Sequence, residues 1–320
     1  MGKTVSQILV VVGTAMIAGA TGTGATFWIA VAKGATVVAT GMALAPKPKL
    51  TSLQQQNFQQ QSSNRSLMIK QPIIDRDMVL GESKKSGGIV FMESTSNFNF
   101  MHVVIQIASH EIQSFEKVYF NEDELTLASD GTDANGETRY RVTAPSKYAT
   151  SGMVRIKLHK GEDAQLADAD LVSDSSKWTE NHRLRGIAYI YARLEANADA
   201  FPNGVPNISA EIKGKKLLDF RTSSTAFSSN PALAIYHYLT DTKLGLNIST
   251  DNIDTTSFTT MANLCDENVN LSGSGTEKRY TCNGVIYANI QPQKILEDLL
   301  TSCAGVLSYS NGKFILKGGQ

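Results

Sequence analysis

FNFMHVVIQIA, residues 98–108, reads with period two: Met101, Val103, Ile105 and Ile107 share one face, while His102 and Gln106 fall on the other. Such a stretch is a β-strand laid on an apolar core, and it sets the reading of its neighbours. GGIVFMEST (87–95) precedes it, and runs at 115–125, 139–143, 153–159, 184–195 and 208–218 follow, all enriched in β-branched and aromatic residues. Asn135-Gly136 offers a turn between two of them. Seven short strands with turns between them argue for a barrel or a sandwich. The acidic, alanine-rich stretch 162–174 reads as a solvated loop.

Beyond Arg221 the period changes to that of a helix. Asn230 is placed to cap a helix opened by Pro231, with Ala232, Ile235, Tyr236 and Leu239 on one face. Asp254 caps a second, with Phe258, Met261, Ala262 and Cys265 inward. Pro292 opens a third, with Ile295, Leu296, Leu299, Leu300 and Cys303 inward, stopped by Gly305. Asn311-Gly312, between 306–310 and 313–317, is the strongest hairpin signal in the chain. With a strand at 280–288, these elements make a small α+β unit.

The start of the chain differs from both units. Between Ile8 and Ala45 the only charge is Lys33, and the 25 residues from Ile8 to Ala32 would make a helix of about 37 Å, enough to cross a bilayer core of roughly 30 Å. Gly13, Gly19, Gly22 and Gly24 suit close packing between helices in an assembly. Burial within an assembly, membrane insertion at some stage, and a processed or irregular segment all remain open. The proline- and glutamine-rich stretch that follows reads as an extended linker.

The 320 residues suffice for two folded units plus extensions, and 42% hydrophobic residues can bury a sizeable core. Thirty basic residues balance thirty acidic ones, which disfavours a protein that wraps nucleic acid by bulk attraction. Cys265, Cys282 and Cys303 are odd in number with no C-x-x-C pair, so they read as buried reduced thiols.

Catalytic and ligand motifs fail on physical grounds. Gly2-Lys3-Thr4 has no strand or glycine-rich turn before it to cradle phosphate, and Gly19, Gly22 and Gly24 are in the wrong order for a dinucleotide turn. His110-Glu111 begins like a zinc-protease helix, but Ser114 stands where the second histidine belongs. His102, His159, His182 and His237 are scattered. Asp168, Asp170 and Asp174 lack a calcium loop's third oxygen, Val172 taking its place. Glu122, Asp123 and Glu124 cannot be paired for acid/base work from sequence alone. No catalytic, cofactor-binding or metal-ligating residue is therefore assigned, no cofactor is expected, and the chain reads as a non-enzymatic structural protein.

One family resemblance runs through these blocks. KQPIIDRDMVLGESKKSGGIVFME (70–93), LRGIAYIYARLE opening the stretch 184–222, SSNPALAIYHYLTDTKLGL (228–246), ANLCDENV (262–269), RYTCNGVI (279–286) and KILEDLLTSCAGVLSYSNGKFIL (294–316) resemble, in order and spacing, the tip attachment (host specificity) protein J family of lambda-like bacteriophages and prophages. The resemblance covers most of 70–319 and implies a tail-tip or baseplate hub region at the distal end of the virion tail. It implies three copies in a ring, with β-barrel domains continuing the tail tube and α+β domains outside. The implied partners are other tail-tip and tail-tube proteins, with the tape-measure protein and phage DNA in the lumen. Residues 8–45 would be a further point of contact with the host envelope.

The expected fold is thus α+β and β-rich. It divides into an apolar, helical segment at 1–46, a linker at 47–70, a β-barrel hub domain at 71–220 and an α+β hub domain at 221–320. The family usually continues into further modules, so an end at Gln320 reads as a truncation or a split gene. The alternative reading is a membrane-anchored, β-rich binding protein of a bacterial envelope, which rests on the apolar start alone.

Overall fold

The computed structural model describes Met68 and residues 74–318; the expectations for the apolar segment and the linker lie outside these residues. The chain is β-rich, with seventeen strands and four α-helices among the described residues. Nine strands form one antiparallel sheet in the order β2 (Glu82–Lys85), β10 (Ile208–Lys213), β5 (Ser114–Phe120), β6 (Asp123–Thr132), β7 (Thr138–Ala144), β8 (Val154–His159), β9 (Ala188–Glu195), β4 (Phe100–Ala108) and β3 (Ile89–Thr95).

The two ends of that order are consecutive in the chain. Only Ser86, Gly87 and Gly88 separate β2 from β3, and a link of that length spans at most about 14 Å. The sheet must therefore curl until its edges stand near one another. Buried Lys85 donates across the gap to the Ile107 carbonyl at 2.6 Å, and the Ser86 hydroxyl donates to the Ile208 carbonyl. No ladder joins β2 to β3. What is observed is a curled half-barrel with two strand edges.

Alternation fills the inside of the curl. Val103, Ile105 and Ile107 of β4 meet Ile190, Ala192 and Leu194 of β9, Val154 and Ile156 of β8, Val118 and Phe120 of β5, and Ile208, Ala210 and Ile212 of β10 in one core. Two of the seven runs read from sequence are each two strands. Residues 115–125 turn at Asn121, which has φ of 55°, and 208–218 break between β10 and β11 (Lys216–Asp219).

A second core gathers α2 (Pro231–Thr240), α3 (Thr255–Asp266), α4 (Pro292–Thr301) and the hairpin β16 (Gly305–Ser310) with β17 (Lys313–Gly318). The expected caps are in place: the Asn230 side chain accepts from the Ala232 and Leu233 amides, and Asp254 accepts from Ser257. Asn311 and Gly312 both have positive φ, as a two-residue hairpin of the primed type requires. Cys265, Cys282 and Cys303 are all free thiols buried in this core. Cys303 lies just past the end of α4 rather than on its inward face.

Between the cores runs β1 (Asp77–Leu80), which pairs with β15 (Gly284–Tyr287). Its side chains alternate between the two: Val79 enters the sheet core, Met78 and Leu80 the helical one. Asp77 is ion-paired to Lys85 at 2.5 Å and accepts from the Ser109 amide at 2.7 Å. The Val79 amide donates to His110 Nε2 at 2.8 Å. Gly214 permits this approach, since an added Cβ would sit 2.2 Å from the Val79 carbonyl oxygen.

His110 makes this junction sensitive to acid. Burial holds its imidazole down at about 4 from an ordinary 6.5, and protonation of Nε2 would abolish the bond from Val79. His237 on α2 is likewise held at about 4, by burial first and then by the Lys215 charge. A histidine whose folded pKa is depressed stabilises the fold above the unfolded value, and that contribution is lost as pH falls toward the folded one. Stability should therefore decline between about pH 6.5 and 4, by at most about 3 kcal/mol per histidine. His110→Gln keeps an acceptor for Val79 but cannot titrate, so denaturant unfolding across that range should show a shallower decline. An unchanged slope would remove His110 from the account.

Candidate functional site

The outer face of the sheet carries a row of basic side chains. Arg139 of β7, Arg155 and Lys157 of β8, and His159 at the end of β8 all point away from the filled core, as their alternation with Val142, Val154 and Ile156 dictates. Residues 160–187 cross this row as a strap.

The strap is the segment expected to be a solvated loop, and the structure corrects that reading. Asp168 and Asp170 are buried, and Ala169–Asp174 is a short helix, α1, capped by Asp168 Oδ1 accepting from the Leu171 amide at 3.0 Å. The acidic residues match the cations beneath. Arg139 grips Asp170 with two bonds, at 2.7 and 2.5 Å, and Arg155 lies 3.7 Å from both Asp170 and Asp174. Sequence reasoning missed this because acidity signals exposure only when no cation waits across the gap. The available signal was the run of Arg155, Lys157 and His159 on a single strand face.

At the centre of the row Lys157 is almost wholly buried. Its ammonium bonds Asp133 and lies 3.1 Å from Asp168 and 3.6 Å from Glu137. Asp133 is fixed by a tight turn at Asn135-Gly136, accepting from the Asn135 and Glu137 amides at 2.9 Å. His159 stands beside the lysine with Nε2 at 2.7 Å from Asp168 and Nδ1 at 3.2 Å from Glu137. Burial by itself would raise the Asp168 carboxyl, yet the His159 bond, the His159 and Lys157 charges and the Leu171 amide together hold it below the usual carboxylate range. Burial would lower the Lys157 amine, and Asp168 and Asp133 outweigh it, keeping the pKa above the ordinary value.

The buried Tyr189 ring stacks on His159 at 4.2 Å between centroids, and its hydroxyl has no acceptor among the described residues. Gln165 ties the strap at both ends, accepting from the Gly161 amide and donating to the Arg183 and Leu184 carbonyls. A cleft of about 260 Å³ opens beside the cluster, lined by Glu137, Lys157, His159, Glu162 and Gln165 among others. Farther along the strap, Ser175 and Lys177 bond Glu93 of the edge strand β3, and Trp178 packs on Phe91.

The remaining sequence candidates do not join this cluster. His110 lies in a bend between β4 and β5, not on a helix, and serves the β1 junction. His102 bonds Tyr191 and Thr95 on the outer face. His182 packs on Trp178, and His237 sits on α2 in the other unit.

No family model matches the chain. Two curated relatives do: over 190 residues, 54% of this chain, it is 26% identical to the tip attachment protein J of Escherichia phage SECphi27, and over 218 residues it is 25% identical to the baseplate hub protein pb3 of Escherichia phage T5. The chain is distantly homologous to both proteins. The matches span 15% and 23% of those two proteins, so this chain corresponds to a fraction of each. Among solved structures, a chain of the virion of a native gene transfer agent particle aligns over 80% of this chain and 55% of its own length, at 15% identity and a TM-score of 0.43. In this chain the buried ion cluster fastens the strap to the sheet wall, and Ser175 and Lys177 fasten it through Glu93 to the edge strand.

Proposed function

We propose that this protein is a structural, non-enzymatic subunit of a phage tail-tip hub, at the distal end of the virion tail, which closes the tail tube, links it to receptor-binding components and opens for DNA ejection. The carrying observation is homology to a tip attachment protein and to a baseplate hub protein. The curled sheet supports a tube role. Among the described residues strands β2 and β3 each leave one edge unpaired, and a ring of copies is one way to pair or cover such edges. In this reading three copies assemble, with 71–220 building the wall and 221–320 lying outside it, β1 being lent by the first unit to the second. Tail-tip and tail-tube proteins adjoin the ring, the tape-measure protein and DNA occupy its lumen, and residues 8–45 meet the host envelope.

Charge placement also suits passage of DNA. The basic row of Arg139, Arg155 and Lys157 is covered by the strap's own carboxylates, so it does not offer phosphates a free row of partners.

The test is assembly. Val90, 40% exposed on the edge strand β3, should accept lysine with a change in unfolding free energy of less than about 0.5 kcal/mol. Val90→Lys should nonetheless lower incorporation into particles and shift the purified protein from trimer to monomer, because a charged edge resists pairing. A reconstruction of the particle with one or six copies at the tip, or normal trimers from Val90→Lys, would count against the ring.

A further inference from the structure

The ion cluster under the strap is unbalanced. Lys157 faces three carboxylates, Asp133, Asp168 and Glu137, and its ammonium is taken up by Asp133 and Asp168. Glu137 Oε2 is buried, 3.6 Å from Lys157 Nζ and 3.2 Å from His159 Nδ1, and makes no hydrogen bond among the described residues. Three carboxylates thus share one lysine beneath the strap, where unmatched charge is costly.

Geometry shows what would match it. Glu137, His159 and Asp168 each present a ligand atom within 4.8 Å of the other two. Glu137 Oε2 and His159 Nδ1 are 3.2 Å apart, close to the separation of about 3.3 Å between two ligands at about 2.0–2.1 Å from one tetrahedral ion. Both border the cleft, which supplies an entry path and room for water. The opposite ring nitrogen, Nε2, is 2.7 Å from Asp168, the carboxylate–histidine arrangement that orients a metal-ligating imidazole.

A second observation points to the same place. Tyr189 is fully buried, its ring lies flat against His159, and its hydroxyl has no acceptor among the described residues.

We infer that Glu137 Oε2 and His159 Nδ1 form a binding site for one divalent cation of the zinc class, with Asp168 as a positioning residue behind the imidazole. A nitrogen–carboxylate donor pair selects Zn²⁺, Co²⁺ or Ni²⁺ over Ca²⁺ or Mg²⁺, which take oxygen alone. The ion would join the β6–β7 turn, which carries Glu137, to the end of β8, and through Asp168 to the strap.

Calorimetric titration of Zn²⁺ into the full chain, stripped with chelator, tests this, with Co²⁺ absorption reporting coordination. One equivalent per chain is expected. His159→Gln and Glu137→Gln should each weaken binding at least 10-fold, Asp168→Asn by about 10- to 100-fold, and His182→Gln not at all. Asparagine still caps α1, and Glu137 is half-exposed, so both of those variants should fold even if His159→Gln does not. The site is overturned by absence of Zn²⁺ and Co²⁺ binding, by affinity that survives Glu137→Gln, or by binding that disappears in Cys265→Ser, which would place the ion on the thiols instead.

Discussion

Lys157→Met should destabilise the protein by about 3–5 kcal/mol at neutral pH, the usual cost of leaving buried charge without its partner. The lysine side chain is 1% exposed, and both Asp133 and Asp168 are fully enclosed around it. Methionine fills much the same volume, so packing loss contributes little and the effect reads the electrostatics. Lys157 charge and hydrogen bonding help hold both carboxyls below their ordinary range against burial, which raises them. Without it their pKa values rise, and falling pH neutralises them in the folded variant. The gap between wild type and variant should therefore narrow as pH is lowered from 7 to 5, and adding Asp133→Asn should recover part of the loss. Denaturant unfolding at the two pH values checks this; a deficit below about 1 kcal/mol at pH 7 would mean that water reaches the cluster.

Phe120→Ala should cost about 3–5 kcal/mol as well, for an unrelated reason. Phe120 is fully buried inside the curl, with Tyr148 edge-on at 5.3 Å and Phe201 at 6.4 Å. Truncation there opens a cavity between rings that cannot collapse onto one another. The same substitution on the wall of a water-filled channel would cost well under 1 kcal/mol, so the measurement separates a filled interior from a lumen. On the structure, the inward face of a single copy is core, and a channel in the assembled hub would have to be bounded by other surfaces.

Much of this architecture was legible in the residues. Period two at Met101, Val103, Ile105 and Ile107 named the core face of β4, and Asn230, Asp254 and Asn311-Gly312 marked helix starts and a hairpin, because in each case the cause is local. The β1 strand was not legible, since four residues facing two different cores show no period at all. The ion cluster was hidden for a related reason. Asp133, Glu137, Lys157, His159 and Asp168 are brought together by a turn, a strand and a capped helix, and none of their spacings is a motif. Closure of the curl through Ser86-Gly87-Gly88 depends on which strands pair, which the strand pattern alone does not specify.

The pairing of β1 with β15 also orders events during synthesis. Asp77 must wait for Tyr287, about 200 residues later, which at roughly 5–20 residues per second is an interval of about 10–40 s on the ribosome. All nine strands of the curled sheet are complete by Lys213, so that sheet has its full complement of strands well before the helical unit has left the exit tunnel. Asp77–Lys85, Ser109 and His110 would then hold β1 against the finished sheet with Met78 and Leu80 uncovered. The first unit to fold thus offers a ready-made edge as a template on which the second condenses. A nascent chain interrupted before Gly284 would display that edge unsatisfied, open to pairing with whatever strand came next.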